Sequence, residues 1–299
     1  VRPAWIVSIA VLLAVAAPGV PAHGAYPGDN GRIYLPRRGD VFSMRSNGSG
    51  VRQITDTDAY EGSISVSPAG RRAAFSVGGD TYDTDRYVMT VAGKHRRRIV
   101  DMVGGSGGAS WSPDGRTIAF ANVRRRRPGD IYTVRPDGAH LHRLTFSEAR
   151  EIEPVWSPDG DRMAVVSYRK TGLDDIWTMD THGNDWIRVT KGATDCGEDG
   201  PCEDRYGGVS GLDYSPDGDR IVFAANKGDG PSEIWIVREG GSHLRKLTTG
   251  MYPAWSPNGR KILFSGPRGL TMIRVDGTHR HRIGRRGFYV DWAVRARPR

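Results

Sequence analysis

The chain has 299 residues, 37% hydrophobic and 26% charged, with a mean hydropathy of −0.50, a composition that excludes an integral membrane protein. Its 40 Gly and 18 Pro suit a turn-rich all-β chain. The net charge of +9, carried mostly by Arg, would favour anionic surfaces outside the cytoplasm.

The first residues differ from the rest. Arg2 precedes an apolar run from Trp5 to Ala17, followed by Pro18-Gly19-Val20-Pro21-Ala22-His23-Gly24. A positive start, a short apolar core and small residues at a cleavage point predict a secretory signal peptide over 1–24, cut after Ala22 or Gly24. The run is short for a membrane span, so no integral span is expected after cleavage. No Cys stands near the cut, which argues against a lipid anchor.

From Gly31 onward one pattern repeats. Gly31-Arg32-Ile33-Tyr34-Leu35, Val41-Phe42-Ser43-Met44 and Val51-Arg52-Gln53-Ile54-Thr55 read as three strands. Then comes Val66-Ser67-Pro68-Ala69-Gly70, the first of five related turns. The others are Trp111 to Gly115, Trp156 to Gly160, Tyr214 to Gly218 and Trp255-Ser256-Pro257-Asn258-Gly259. Pro presets φ, Asp bonds nearby backbone and Gly accepts a left-handed conformation, so each reads as a tight hairpin turn.

The unit around Trp111 shows the content of a repeat. Ala109-Ser110-Trp111 is a short strand, Arg116 to Phe120 a second and Asp130 to Val134 a third. A turn at Asp137-Gly138 leads to a fourth, Leu141 to Thr145. Four short strands recurring roughly every 40 residues are the blade of a β-propeller. The first unit lacks its first strand, and the chain's last strand, Tyr289-Val290-Asp291-Trp292, has no successors. Together they make one blade, so the reading is an all-β, six-bladed propeller over 25–299, its ring closed by the C-terminal strand.

These residues resemble the WD40-like propeller repeat of the TolB family, with its Trp-Ser-Pro-Asp-Gly turn and closing Leu-Thr. The resemblance covers Gly31 to Trp292 and has no counterpart here for the N-terminal α/β domain of TolB itself. It implies a propeller built to bind partners.

In such a ring the uniform turns lie on one face and the irregular, charged connections on the other. Variable loops on a rigid platform are where binding usually sits. The binding candidates on that face are Asp58, Glu61, Asp80, Asp83, Arg125, Arg126, Glu151, Glu153 and Asp174. Cys196 and Cys202, close together in the long Lys191 to Gly211 insertion, predict a disulfide that clips the loop.

Other chemistry finds less support. Gly104-Gly105-Ser106-Gly107-Gly108 matches a nucleophile-elbow pattern, but a propeller strand follows it where a helix is needed. His140 with His142, and His279 with His281, fall in fourth strands of different blades and cannot converge on one ion. Asp80, Asp83 and Asp85 lack the Gly and terminal Glu of a calcium loop. Trp111, Trp156, Trp255 and Trp292 recur at one repeat position, as blade packing requires. The clusters Lys94 to Arg98 and Arg124 to Arg127 read as solvated hairpin ends.

The expectation is a secreted, non-catalytic, monomeric propeller with no cofactor and no metal. It would bind an envelope or secreted protein, or an anionic wall polymer, and not nucleic acid. The alternative is a propeller lyase or hydrolase acting on a sugar polymer at the channel mouth.

Overall fold

The Ser-Pro-Asp-Gly turns are held by their own side chains. Ser112 Oγ donates to Asp114 Oδ1 at 2.6 Å and accepts Thr117 N–H at 2.9 Å, while Asp114 Oδ1 also takes Arg116 N–H at 2.9 Å. Ser157 with Asp159 and Ser256 with Asn258 make the same contacts. Each turn delivers its second strand antiparallel to the first.

The computed structural model describes residues 27–78, 84–102, 104, 106–123, 129–169, 174–191, 206–227, 230–285 and 290–295. They form six four-stranded antiparallel sheets with no helix among them. We number the blades 1 to 6 in chain order. Their first strands are Asp291–Val294 (blade 1), Tyr60–Val66, Ser106–Trp111, Glu151–Trp156, Tyr206–Tyr214 and Met251–Trp255. Blade 1 is composite, as expected. Its C-terminal strand pairs with Asn30–Arg37, placing Trp292 opposite Ile33 and Asp291 opposite Tyr34.

Four of the six fourth strands are shorter than their sequences suggest. Arg52–Gln53, His142–Arg143, Ile187–Arg188 and His281–Arg282 pair over two residues each. Beyond them a Thr hydroxyl substitutes for the ladder in three blades. Thr55, Thr145 and Thr190 Oγ1 accept the N–H of Val41, Ile131 and Ile176 at 2.8, 3.0 and 2.8 Å. This is the physical role of the closing Leu-Thr.

The core lies between blades. One apolar cluster joins Ile33 and Met44 of blade 1 to Leu263 and Met272 of blade 6, and another joins Tyr34 and Val41 to Phe75 and Met89 of blade 2. Trp111, Tyr214 and Trp255 are fully buried at the repeat position, as blade packing requires. A blade buries its faces only against its neighbours, so the ring forms as a unit. The turns also stack around it. Gly160, at φ +84°, lies so close to Pro113 of the preceding blade that a Cβ would stand 2.6 Å from the proline Cγ.

Candidate functional site

All six first strands line one central channel. Its narrow part holds a cavity of about 110 Å³ bordered by Ser65, Ser110, Glu153, Asp213, Tyr252 and Asp291, one from each blade. Every first strand slips register against its second strand, between Ile152 and Val155 in blade 4 for example. Such bulges re-aim side chains, here toward the axis. Two of the channel residues precede proline and sit in the left-handed region, Glu153 at φ +52° and Tyr252 at φ +51°. Non-glycine residues hold that conformation at a cost of roughly 1–3 kcal/mol, and such strain concentrates at functional sites.

The channel carboxylates are interblade latches. Asp291 accepts the N–H of Val66 in blade 2. Asp213 Oδ2 accepts Trp255 N–H of blade 6 at 2.6 Å, and Glu153 Oε2 accepts Gly211 N–H of blade 5 at 2.5 Å. Ser110 Oγ does the same for Trp156 of blade 4 at 3.2 Å. Asp291, Ser110 and Asp213 occupy one repeat position, the residue just before the recurrent aromatic. Blade 4 has Val155 there, and Glu153 from two residues earlier reaches across instead.

Burial raises the proton affinity of these acids. It pushes Asp291 up to about 6, against the N–H bonds of Val66 and Trp292. It pushes Glu153 up to about 7, with Asp174 adding to the rise and the Gly211 and Leu212 N–H groups and Arg150 opposing it. Asp213 is raised well above the usual carboxylate range by burial and by the charge of Asp291.

At the seam of blades 4 and 5 four ionisable groups share one environment. Asp174 is buried, accepts bonds from the Tyr168 hydroxyl and Val209 N–H, and is raised mainly by desolvation. Tyr168 is raised by burial and then by Asp174, with Arg150 over its ring at 5.6 Å. Glu153 feels both Asp174 and Arg150. A carboxyl poised near neutrality beside a phenol and a guanidinium can exchange a proton near pH 7.

The binding candidates therefore separate. Glu153 and Asp174 come together at this seam. Glu61 and Glu151 are fully buried at the starts of their strands. Arg96 Nη1 and Thr57 Oγ1 bond Glu61 at 2.7 and 3.2 Å, and Thr55 Oγ1 also donates to it. Arg169 Nη2 and Ser147 Oγ bond Glu151 at 2.8 and 2.5 Å. The signal was present in the sequence: Thr55-Asp56-Thr57-Asp58-Ala59-Tyr60-Glu61 and Thr145-Phe146-Ser147-Glu148-Ala149-Arg150-Glu151 are copies of one linker. Asp58 is exposed on its linker. Asp80, Asp83, Arg125 and Arg126, the Cys196 and Cys202 pair, and the segment 1–24 lie outside the described residues.

The remaining candidates resolve as scaffold. Residues 106–111 form the first strand of blade 3, not an elbow before a helix. His140 and His279 are not strand residues. They take left-handed conformations in the outer hairpins, at φ +56° and +55°, as do His95 and His243. That leaves His142 and His281 exposed in their strands, far apart in the ring. Asp85 pairs with Arg98 at 3.2 Å across the third and fourth strands, a pairing repeated by Asp130 with Arg143 and Asp175 with Arg188. Sequence reasoning missed Arg86, which is 2% exposed where the other blades carry an aliphatic residue and bonds the carbonyl of Ala121 in blade 3 at 3.4 Å.

A family model for the TolB beta propeller domain matches residues 38–201, more than half of the chain. The chain belongs to the TolB β-propeller domain family. A relative of this TolB-type propeller, the uncharacterized protein Atu1656 of Agrobacterium fabrum, is 41% identical over 58 residues, which span 18% of this chain and only 20% of that protein. TolB from Acinetobacter baumannii superposes with a TM-score of 0.71 at 21% identity, covering 90% of this chain and 68% of that one. An oligogalacturonate lyase from Vibrio parahaemolyticus gives a TM-score of 0.58 at 10% identity, over 90% of this chain and 80% of its own. At these identities the structural likenesses establish the TolB-type fold and nothing about chemistry.

Proposed function

We propose that this protein is an extracytoplasmic docking propeller, exported by the segment 1–24 and binding an envelope or secreted protein on its irregular loop face. The observation that carries the reading is a set of exposed apolar side chains near the inner strands on that face; Val51, Leu141, Ile187 and Leu244 are also exposed, but at the outermost strands of the other face. Tyr60 and Met251 begin the first strands of blades 2 and 6, and Phe146 stands in the linker to blade 4, exposed by 61%, 37% and 70%. Large apolar groups with polar surroundings are the usual anchors of protein interfaces. The channel acids support the same reading, because each spends an oxygen on a neighbouring blade. The relationship to TolB is consistent with a role in the envelope. Affinity capture from an extracytoplasmic fraction tests it: wild type should retain a partner that the Tyr60→Ala, Phe146→Ala, Met251→Ala variant does not. Equal capture by both would overturn the reading.

A second reading rests on the seam of Glu153, Tyr168, Asp174 and Arg150. A general base near neutrality beside a cation would suit eliminative cleavage of a polyuronate, and a lyase shares the fold. Here the expectation is turnover of polygalacturonate that Glu153→Gln abolishes. Absence of turnover by the wild type would exclude it.

A further inference from the structure

The fifth turn of the ring departs from the three Asp-bearing turns by one group; the first, in blade 2, has Ala69 at that position. Blades 3, 4 and 5 place Asp114, Asp159 and Asp217 in the turn, and blade 6 places Asn258. Asn258 Oδ1 still performs the turn's work, accepting Ser256 Oγ at 2.8 Å and Arg260 N–H at 3.2 Å. What changes is the second terminal atom. In Asp217 that atom is an oxygen, and it takes Arg220 Nη2 at 2.8 Å. In Asn258 it is an NH₂ donor.

This exchange removes one carboxylate from beside a set of cations. Arg260 and Lys261 follow the turn, Arg274 ends the third strand of blade 6, and Arg245 leans in from blade 5. Among the described residues none of the four makes a direct ion pair; the Asp276 carboxyl is lowered first by its Thr278 hydrogen bonds and, among the four, by the charge of Arg274. Arg245 is instead oriented by donating from Nη2 to the carbonyl of Val275 at 2.6 Å. The four line an open groove of about 630 Å³ together with Asn258 and Asn30 of blade 1. Asp276, the acid in the lining, turns its Oδ1 to Thr278 N–H and Oγ1 at 2.8 and 2.7 Å.

We infer that this groove, on the uniform-turn face and opposite the loop face, binds a ligand carrying two or more phosphoryl groups. Guanidinium forks match phosphate oxygens in paired hydrogen bonds, and the Asn258 amide adds a neutral donor. The lining holds no aromatic ring on which a sugar or base could stack, so recognition rests on the anionic groups themselves. The volume accommodates more than one phosphate. The ligand could be a free oligophosphate or a phosphodiester polymer; the shared chemistry is the repeated phosphoryl anion.

Calorimetric titration of the full chain with tripolyphosphate at about 0.15 M salt tests the inference, with citrate as a carboxylate anion of comparable charge. Tripolyphosphate should bind at least about 10-fold more tightly than citrate, and Arg260→Ala with Arg274→Ala should lose at least about 10-fold. Asn258→Asp should weaken binding several-fold without lowering Tm, because Asp occupies this turn in three other blades. Arg116→Ala, in the corresponding turn of blade 3, should change nothing. Competition by oligo(glycerol phosphate) would assign the site to a polymer, and its failure to compete would assign it to a free oligophosphate. Equal affinity for citrate, or unchanged affinity in the double variant, would overturn the inference.

Discussion

Asp291, in the last strand of the propeller, accepts the backbone N–H of Val66 and so locks the composite first blade to the second. The carboxylate faces the channel, where burial pushes its pKa up to about 6 although the N–H bonds from Val66 and Trp292 favour its charged form. The latch thus needs the acceptor oxygen more than the charge.

Two variants separate the two contributions. Asp291→Ala leaves the Val66 N–H without its acceptor and should destabilise by about 1–3 kcal/mol. Asp291→Asn keeps an acceptor and removes a buried charge, so at pH 8 it should be neutral or stabilising. Chemical denaturation of both variants measures this. A loss in Asp291→Asn equal to that in Asp291→Ala would show that the charge itself holds the seam.

The same burial sets a pH dependence. The folded-state pKa values of Glu153 and Asp291, about 7 and about 6, lie above those of free carboxyls. Stability from such groups is fully present below the unfolded pKa and is lost as pH rises through the folded value. Tm should therefore fall from pH 5 to pH 8, and Glu153→Gln with Asp291→Asn should flatten that slope. An identical slope in the double variant would contradict the assignment.

Turn packing predicts a contrast between two glycines. A Cβ on Gly48, at φ +84°, would meet the carbonyl oxygen of Ile283 in blade 6 at 2.0 Å, whereas one on Gly240 would meet nothing within 4 Å. Gly48→Ala should cost on the order of 2 kcal/mol or more. Gly240→Ala should stay within about 0.5 kcal/mol of wild type, as exposed substitutions do. Equal losses in thermal denaturation would sink the seam-packing explanation.

How much of this was legible in the chain depends on whether the cause was local. The turns, the strand order and the pairing of Trp292 with Ile33 follow from repeated residues and from counting what the first and last units lack. The latches follow from contacts across seams, between residues such as Glu153 and Gly211 that lie far apart in sequence. Glu61 and Glu151 read as loop acids because a carboxylate at the start of a strand is ordinarily exposed. Their burial depends on Arg96 and Arg169 arriving from elsewhere. His140 and His279 stand two residues before His142 and His281, the spacing of one strand face, yet the hairpin needs a left-handed residue there, a conformation His tolerates better than most.

The repeated acid–base pair should be worth different amounts in different blades. Arg98 and Asp85 retain 48% and 27% side-chain exposure, so solvent screens the pair and Arg98→Ala should cost little. Asp175 is fully buried against Arg188, so Arg188→Ala strands a charge and should cost about 3–5 kcal/mol. Denaturation of the two variants gives the comparison, and similar small losses would mean that Asp175 is held by its other contacts.

The docking proposal is tested most directly by a photo-crosslinking residue placed singly at Tyr60, Phe146 or Met251 and, as a control, at Arg116 on the opposite face. With the folded protein in its extracytoplasmic extract, the first three positions should trap a common partner and Arg116 should trap none. A partner trapped at Arg116 and absent from the loop-face positions would contradict the account.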